Sequence, residues 1–310
     1  MKLVSFKNLG NTCYLNGILI CFIYSPFFHE KIESSKTDST FIKELKNIIT
    51  FIDTSSKKDI NTKYNLTDFI DYFISEKSWF KKFQQNDAHE FLVSFLELLI
   101  KNTPAKFKIT ETDILWKKSW DTFLTKNSSP FTRQYHGQTK TTIKCCRCKT
   151  IKYIFEEFNS INLNIPLREQ TLVELFKDYL KKETNDDDDN LYYCEKCKKN
   201  TISLKKVSLN ILPETLIVVL KRYSCTGTKI LSEIEYPEKL SIKESSSSVI
   251  KNYQLNCIVN HVGNLFDGHY TTSTLIKNNW YYFDDDSIYI NNSLNKSNPN
   301  AYILIYSKVL

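Results

Sequence analysis

Apolar residues recur at helical spacing through the first third of the chain. Tyr14, Leu15, Ile18, Leu19 and Phe22 form one run, directly after the turn-forming stretch Asn8-Leu9-Gly10-Asn11-Thr12. Phe41, Ile42, Leu45, Ile48, Ile49 and Ile52 form a second, and Leu66, Phe69, Ile70 and Phe73 a third with Asn65 as its cap. Ala88, Phe91, Leu92, Phe95 and Leu99 follow the polar entry Gln85-Asn86-Asp87. Each stripe is read as the core-facing side of a helix.

Past about residue 130 the period falls to two. Ile161, Leu163 and Ile165 alternate with polar residues, as do Tyr253, Leu255, Cys257 and Val259, while 217–220 reads as a strand buried on both faces. One helix interrupts this half, beginning near Thr171 and carrying Leu172, Leu175, Phe176, Tyr179 and Leu180. Residues 185–190, rich in aspartate, and 244–248, rich in serine, read as exposed loops. Helices first and strands later predict an α+β fold with a cleft between the two parts.

A chain of 310 residues that is 41% apolar and 14% aromatic can bury one substantial core or two modest ones. The formal charge of +7 arises from 42 basic and 35 acidic residues spread along the chain, without the basic blocks of a nucleic-acid arm. Asn16 and Gly17 interrupt the only long apolar run, so neither a membrane span nor a cleavable signal is expected. These absences point to the cytoplasm, with the nucleus left open. Cys13 lies so close to Met1 that the chain reads as nearly a minimal catalytic unit.

The nine cysteines include two Cys-x-x-Cys pairs, Cys145 with Cys148 and Cys194 with Cys197. In a reducing compartment this pattern favours metal and thiol chemistry over disulfides. Four thiolates converging tetrahedrally would hold one zinc ion, and a closed four-sulfur site is structural because it leaves no open position for water. The long gap between the pairs adds only about 1 kcal/mol of loop-closure cost. Zinc binding contributes roughly 10–16 kcal/mol, so the gap is tolerated. Cys146 is a rival ligand, and Cys145 is preferred because a two-residue interval closes the knuckle turn. A basic zinc ribbon for nucleic acid is the competing reading, and it accounts for little else in the chain.

Cys13 is the candidate nucleophile. It sits where a turn gives way to an apolar helical run, and unpaired N–H groups at a helix N-terminus favour the thiolate form. Far downstream, Gly268-His269-Tyr270 and Trp280-Tyr281-Tyr282-Phe283-Asp284-Asp285 offer a base and an orienting carboxylate. A hairpin turning near residues 277–279 would fold Asp284 back towards His269. Asp285 and Asp286 are rival orienters.

These residues carry a pattern. Asn8-Leu9-Gly10-Asn11-Thr12-Cys13-Tyr14-Leu15-Asn16 resembles the cysteine box of the ubiquitin-specific proteases, and Gly268-His269-Tyr270 with residues 280–285 resembles their histidine box. Gln85-Asn86-Asp87-Ala88-His89-Glu90-Phe91 resembles the family's acidic helix start, and Leu191-Tyr192-Tyr193-Cys194-Glu195-Lys196-Cys197 its second zinc knuckle. Leu220-Lys221-Arg222-Tyr223 and residues 301–306 resemble the strand motifs that flank the histidine region. The match runs over nearly the whole chain in the expected order. Asn86 departs from the usual residue, and the loop at 264–267 is short, so a less elaborate channel cover is expected.

The resemblance implies one papain-like catalytic domain over 1–310, with a mainly helical thumb at 1–130, zinc-bearing fingers at 131–210 and a palm with the histidine box at 211–310. It implies a monomeric cysteine deubiquitinase that binds ubiquitin and ubiquitin conjugates, and neither nucleic acid nor membrane. Cys13 would attack the carbonyl of the modifier's terminal glycine, His269 would move the proton and Asp284 would orient the imidazole, with Asp285 in support. Asn8 would help stabilise the oxyanion. Gln85, Asp87 and Glu90 would meet the basic tail of ubiquitin, with Asp87 also capping its helix. Tyr223, His261 and Tyr270 would line the tail channel, where Gly268 admits a close backbone approach. His29, His89 and His136 are read as structural. Two alternatives remain: a zinc-loaded ubiquitin-binding scaffold without turnover, and the same chemistry on another modifier with a diglycine tail.

Overall fold

The structure is a computed structural model that describes residues 3–55, 62–107, 112–187, 191–265, 267–291 and 294–309. Its helices are α1 (Cys13–Ile23), α2 (Pro26–Glu33), α3 (Thr40–Thr54), α4 (Thr67–Glu76), α5 (Ala88–Asn102), α6 (Leu115–Lys126), α7 (Pro130–Tyr135) and α8 (Leu172–Tyr179). Ahead of the fourth helix, β1 (Ser5–Phe6) and β2 (Lys63–Tyr64) form a short parallel pair. The next strands are β3 (Gly137–Cys145), β4 (Ile151–Phe158), β5 (Ile161–Asn164), β6 (Gln170–Thr171), β7 (Glu183–Asn185), β8 (Tyr192–Cys194) and β9 (Lys199–Thr201). They are followed by β10 (Ser203–Ile211), β11 (Thr215–Lys221), β12 (Ile234–Glu235), β13 (Lys239–Lys243) and β14 (Ile250–Gly263). The chain closes with β15 (Gly268–Ile276), β16 (Asn279–Asp284), β17 (Ser287–Asn291) and β18 (Ala301–Lys308).

An eight-stranded sheet runs β17-β16-β15-β14-β18-β11-β5, with β13 joined to β14. A separate four-stranded sheet, β4-β3-β10-β7, carries the cysteine pairs near its far end with the β8-β9 hairpin. Both faces of the large sheet are covered. Ile217, Val219, Ile303 and Ile305 join the core built with α1 to α5, while Val218, Leu220, Leu304 and Tyr306 join a second core under α8. This two-sided burial explains the unbroken apolar run of β11.

The stripes read as helices at 41–52, 66–73 and 88–99 form α3, α4 and α5. Asn65 accepts from the Thr67 N–H at 2.9 Å, one residue ahead of the capping position. Thr171 and Glu174 form a reciprocal capping box at the start of α8. All of α1 is buried, and its middle lies against β15. A Cβ at Gly17 would stand 2.8 Å from Thr272 Oγ1, and that hydroxyl donates to the Gly17 carbonyl at 3.0 Å.

Three helices were not legible as periodic stripes. α2 and α6 each bury only two apolar side chains, Phe28 with Ile32 and Trp120 with Leu124, and α7 is a short turn opened by Pro130. The expected exposed loops need two corrections. Asn185 belongs to β7, whose pairing with β10 it closes, and residues 188–190 lie outside the described residues. Glu244 is 7% exposed, accepts from the Leu212 N–H at 2.9 Å and pairs with Lys251 at 2.8 Å. Its neighbours Ser245, Ser247 and Ser248 are exposed.

Candidate active site

The stretch before α1 is shaped by its own side chains. Asn8 Oδ1 accepts from the Gly10 N–H at 2.9 Å and the Thr12 N–H at 3.3 Å, and Thr12 Oγ1 accepts from the Leu9 N–H at 3.0 Å. Gly10 and Asn11 both take positive φ, at 90° and 57°, so the chain turns sharply and delivers Cys13 as the first residue of α1. Cys13 is 4% exposed.

His269 is the second residue of β15. The β15-β16 hairpin turns through Lys277 and Asn278, both at positive φ (49° and 67°), the geometry of a tight two-residue connection. The return strand ends on Asp284, whose Oδ1 lies 2.6 Å from His269 Nε2. The other face of the imidazole meets Cys13. The hydrogen bond to Cys13 pushes His269 up to about 9, with Asp284 adding to the rise and partial burial opposing it. With Nε2 engaged by the carboxylate, Nδ1 is the nitrogen left for sulfur. A thiol, an imidazole and a carboxylate from three distant segments thus form one line.

Asp285 has a different place from the one expected of a rival orienter. It sits at a φ of 45° in the β16-β17 turn, and its carboxylate accepts from Asn8 Nδ2 at 2.6 Å and Asn16 Nδ2 at 2.9 Å. It ties the loop before Cys13 to the helix after it. The Asn8 amide orientation follows from these partners. Asp286 turns away to Lys63, which holds its carboxyl below the usual range. Asn16 was missed by sequence reasoning as a site residue, although a polar residue inside an all-apolar helix was the signal.

The other expected residues flank this centre. Asp87 caps α5, accepting from the His89 and Glu90 N–H groups at 2.8 and 2.9 Å, and its second oxygen accepts from Tyr302 Oη at 2.7 Å. Tyr302 was not foreseen. Gln85 spans to the histidine loop, donating to Asp267 Oδ1 and accepting from the Gly268 N–H, both at 2.8 Å. Of that loop, Phe266 lies outside the described residues. Glu90 is exposed on the first turn of α5.

His261 is buried, and burial with Lys229 nearby pushes it down to about 4, so the ring is neutral. Its Nδ1 lies 2.9 Å from Tyr223 Oη, and its ring packs on Tyr270 with centroids 4.5 Å apart. This packing gives Gly268 a reason other than tail approach: a Cβ there would stand 2.2 Å from His261 Nε2. Arg222, 1% exposed, donates to the carbonyls of Ala301, Ile230, Ser232 and Asn298, and stitches β11 to its neighbours. His29 stands between Glu33 and Asp53, His89 meets Ser160 Oγ at 2.9 Å, and His136 packs on Phe123.

The four sulfurs of Cys145, Cys148, Cys194 and Cys197 lie within 4.8 Å of one another, with Cys148 and Cys194 at 3.5 Å. Bonds of about 2.3 Å to a tetrahedral ion require sulfurs about 3.8 Å apart, so the donor set fits zinc. Cys146 is outside the cluster. Lys149 and Lys198, at φ of 61° and 52°, close the two knuckle turns. Among the described residues no helix is long and apolar enough to cross a membrane.

The sequence model of the family described as ubiquitin carboxyl-terminal hydrolase matches residues 4–306. Ubiquitin carboxyl-terminal hydrolase 36 of Drosophila mojavensis is 29% identical over 317 residues, covering 96% of this chain and 26% of that protein. Ubiquitin carboxyl-terminal hydrolase 2 of Homo sapiens is 25% identical over 335 residues, covering 98% and 55%. The chain therefore spans about a quarter to a half of the length of these relatives. A solved SAGA DUB module of Ubp8, Sgf11, Sus1 and Sgf73 bound to monoubiquitin superposes with a TM-score of 0.77 at 23% identity, covering 99% of this chain and 69% of that chain. The same module bound to ubiquitin aldehyde gives 0.75 at 23% identity, covering 99% and 70%. The fold is the α+β papain-like architecture of these catalytic domains.

Proposed function

The chain belongs to the ubiquitin carboxyl-terminal hydrolase family, and from that premise we propose that it is a cysteine deubiquitinase acting on ubiquitin conjugates. The observation that carries this reading is the contact of His269 with both Cys13 and Asp284. The Cys13 sulfur attacks the carbonyl carbon of the modifier's terminal glycine. His269, which holds a proton at neutral pH, gives it to the leaving lysine amine as the carbon–nitrogen bond breaks. Water then loses a proton to His269 and attacks the thioester, releasing the modifier's carboxylate and restoring the thiol. Asp284 keeps the imidazole oriented and stabilises its charge.

Asn8 and the free N–H groups of the first turn of α1 supply the oxyanion site, and Asp285 holds the Asn8 amide in place. Gln85, Glu90, Tyr223, His261 and Tyr270 border the path of the modifier's tail. Asp87, which accepts from the His89 N–H and from Tyr302 Oη, shapes that wall and keeps acceptor capacity for the tail's basic groups. Cys145, Cys148, Cys194 and Cys197 hold one zinc ion, which supplies structural cross-linking and leaves the chemistry to Cys13. The domain thus divides into a helical thumb, zinc-bearing fingers and a palm that carries His269.

The test is covalent capture by ubiquitin bearing a C-terminal electrophile. The unmodified protein gains the mass of one ubiquitin, and Cys13→Ala gains none. Capture of Cys13→Ala overturns the assignment of the nucleophile. A probe built on a different diglycine modifier, run in competition, decides which modifier the chain takes.

A further inference from the structure

One end of the large sheet carries the functional residues in a fixed order. Tyr223 lies just past β11, His261 is on β14, Gly268 and His269 open β15, and Asp284 ends β16. The wall proposed for the modifier's tail thus lies on the β14 and β11 side of the imidazole, and β17 lies beyond Asp284 on the other side. A tail that reaches Cys13 along that wall leaves the departing amine, with the conjugated protein attached, towards β17.

β17 is an open edge. The turn at Asp285 and Asp286 makes Asp284 and Ser287 a doubly hydrogen-bonded pair, and the alternation of an antiparallel ladder then turns the N–H and C=O groups of Ile288 and Ile290 away from β16. These groups have no backbone partner among the described residues. Natural sheets guard such edges with charge. Here β4 carries Lys152, Glu156 and Glu157, β7 carries Glu183, and β13 carries Lys239 and Lys243. β5 is uncharged, but both of its apolar side chains are buried. β17, Ser287-Ile288-Tyr289-Ile290-Asn291, has no charge and leaves Tyr289 and Ile290 56% and 70% exposed. The strand starts beside the turn whose Asp285 holds Asn8. From Asp285 to Ile288 is about 10 Å of extended chain, a gap that a lysine side chain and one or two neighbouring residues cover.

We propose that the β17 edge takes an extended segment of the conjugated protein, next to the modified lysine, as an added strand bound through the backbone of Ile288 and Ile290. This rests on the deubiquitinase reading. Backbone pairing accepts many sequences, while contacts with Tyr289 and Ile290 favour β-branched or aromatic residues in the segment. A second copy of the chain is the rival occupant. The formal charge of +7 opposes it, and two five-residue strands bury less surface than a stable dimer needs.

The test compares kcat/KM on three substrates: ubiquitin joined to the central lysine of a Thr/Val peptide, the same conjugate with the flanking peptide nitrogens methylated, and a fluorogenic ubiquitin amide without a peptide. The plain conjugate is cleaved about tenfold more efficiently than the methylated one, the preference that one or two hydrogen bonds confer. Ile290→Pro deletes an outward N–H and keeps the bonds to β16. It lowers the value for the plain conjugate about fivefold, and the methylated conjugate does not share that loss. Circular dichroism checks the variant's fold, and if it does not fold, the two conjugates decide the matter on the parent protein. Equal values for the two conjugates while the amide is cleaved, or a plain conjugate indifferent to folded Ile290→Pro, overturn this proposal alone. An uncleaved amide overturns the deubiquitinase reading and this proposal with it. Self-association in sedimentation that Ile290→Pro abolishes gives the edge to a second copy and overturns the proposal as well.

Discussion

Sulfur does opposite work in two regions of this molecule. At the end of the small sheet, four cysteines face one another, and each pair is set by a short turn closed by a lysine at positive φ. One strand pairing, Cys145 opposite Ser203, and one hairpin, β8 with β9, then bring the two turns together. At Cys13 a single sulfur meets an imidazole, and nothing local provides it. The thiol comes from α1, the imidazole from β15 and the carboxylate from β16. Their meeting depends on the packing of α1 on the large sheet, including the close contact of Gly17 with Thr272. A structural metal site therefore needs turn geometry and one pairing, whereas the reactive site needs the folded domain.

Metal removal is the strongest way to separate the two regions. Stripping the ion with a chelator, or making Cys194→Ser, is expected to lower stability by about 3 kcal/mol or more, a fall in melting temperature of about 10 °C. Below that melting point, alkylation of Cys13 by chloroacetamide should stay within about threefold of the intact rate, because β15 and β16 belong to a different sheet from the strands that carry the knuckles. Calorimetry and peptide mapping read the two effects. Loss of Cys13 alkylation together with the metal would show that the regions are one cooperative unit and break the comparison.

The same contrast explains what could be read from the chain. The knuckles were legible because spacing fixes them: the Cys-x-x-Cys interval selects Cys145 over Cys146, and the cluster contains Cys145. Long stripes such as that of α5 were legible because burial on one face repeats over several turns. The helices α2 and α6 were not, since two buried side chains each cannot establish a period. At the reactive site Cys13, His269 and Asp284 were legible as candidates from residue type and position, the resemblance singled them out, and the function of their neighbours was obscured. Its place beside Asp284 makes Asp285 read as a rival orienter, but the pleat and the turn at its φ of 45° aim its carboxylate at Asn8 and Asn16. The resemblance gives Gly268 to the tail's approach, while the nearer constraint is the His261 ring. Such contacts join residues hundreds of positions apart and leave no periodic trace.

The division of labour between the adjacent aspartates gives the next test. Asp285→Ala frees the Asn8 amide, and kcat on a fluorogenic ubiquitin amide should fall about tenfold to a hundredfold with little change in KM, as for loss of an oxyanion donor. Asp285→Asn keeps an acceptor and should recover part of the rate. The pH profile separates positioning from a merely structural loss. His269 is held up to about 9, so activity that needs its proton falls as pH rises through that value. Asp284→Ala removes a group that raises His269, so the alkaline limb should move to lower pH; Asp285→Ala should leave it in place. A shift of that limb in Asp285→Ala would make Asp285 an imidazole partner after all.

The smallest effect is expected at the cysteine nearest the metal site that the cluster excludes. The Cys146 N–H donates to the Ile202 carbonyl, and its own carbonyl accepts from Lys149 Nζ, so its backbone serves the knuckle while its thiol is not among the converging sulfurs. Serine preserves both backbone contacts and nearly the same volume. Cys146→Ser should therefore bind one equivalent of zinc with affinity within about twofold of the parent, and its melting temperature should move by less than about 2 °C. Titration with a competing chelator measures this directly. If Cys146→Ser loses the metal as Cys194→Ser does, ligand choice in the first knuckle is set by something other than the two-residue interval, and the claim that turn geometry and one pairing specify the metal site fails with it.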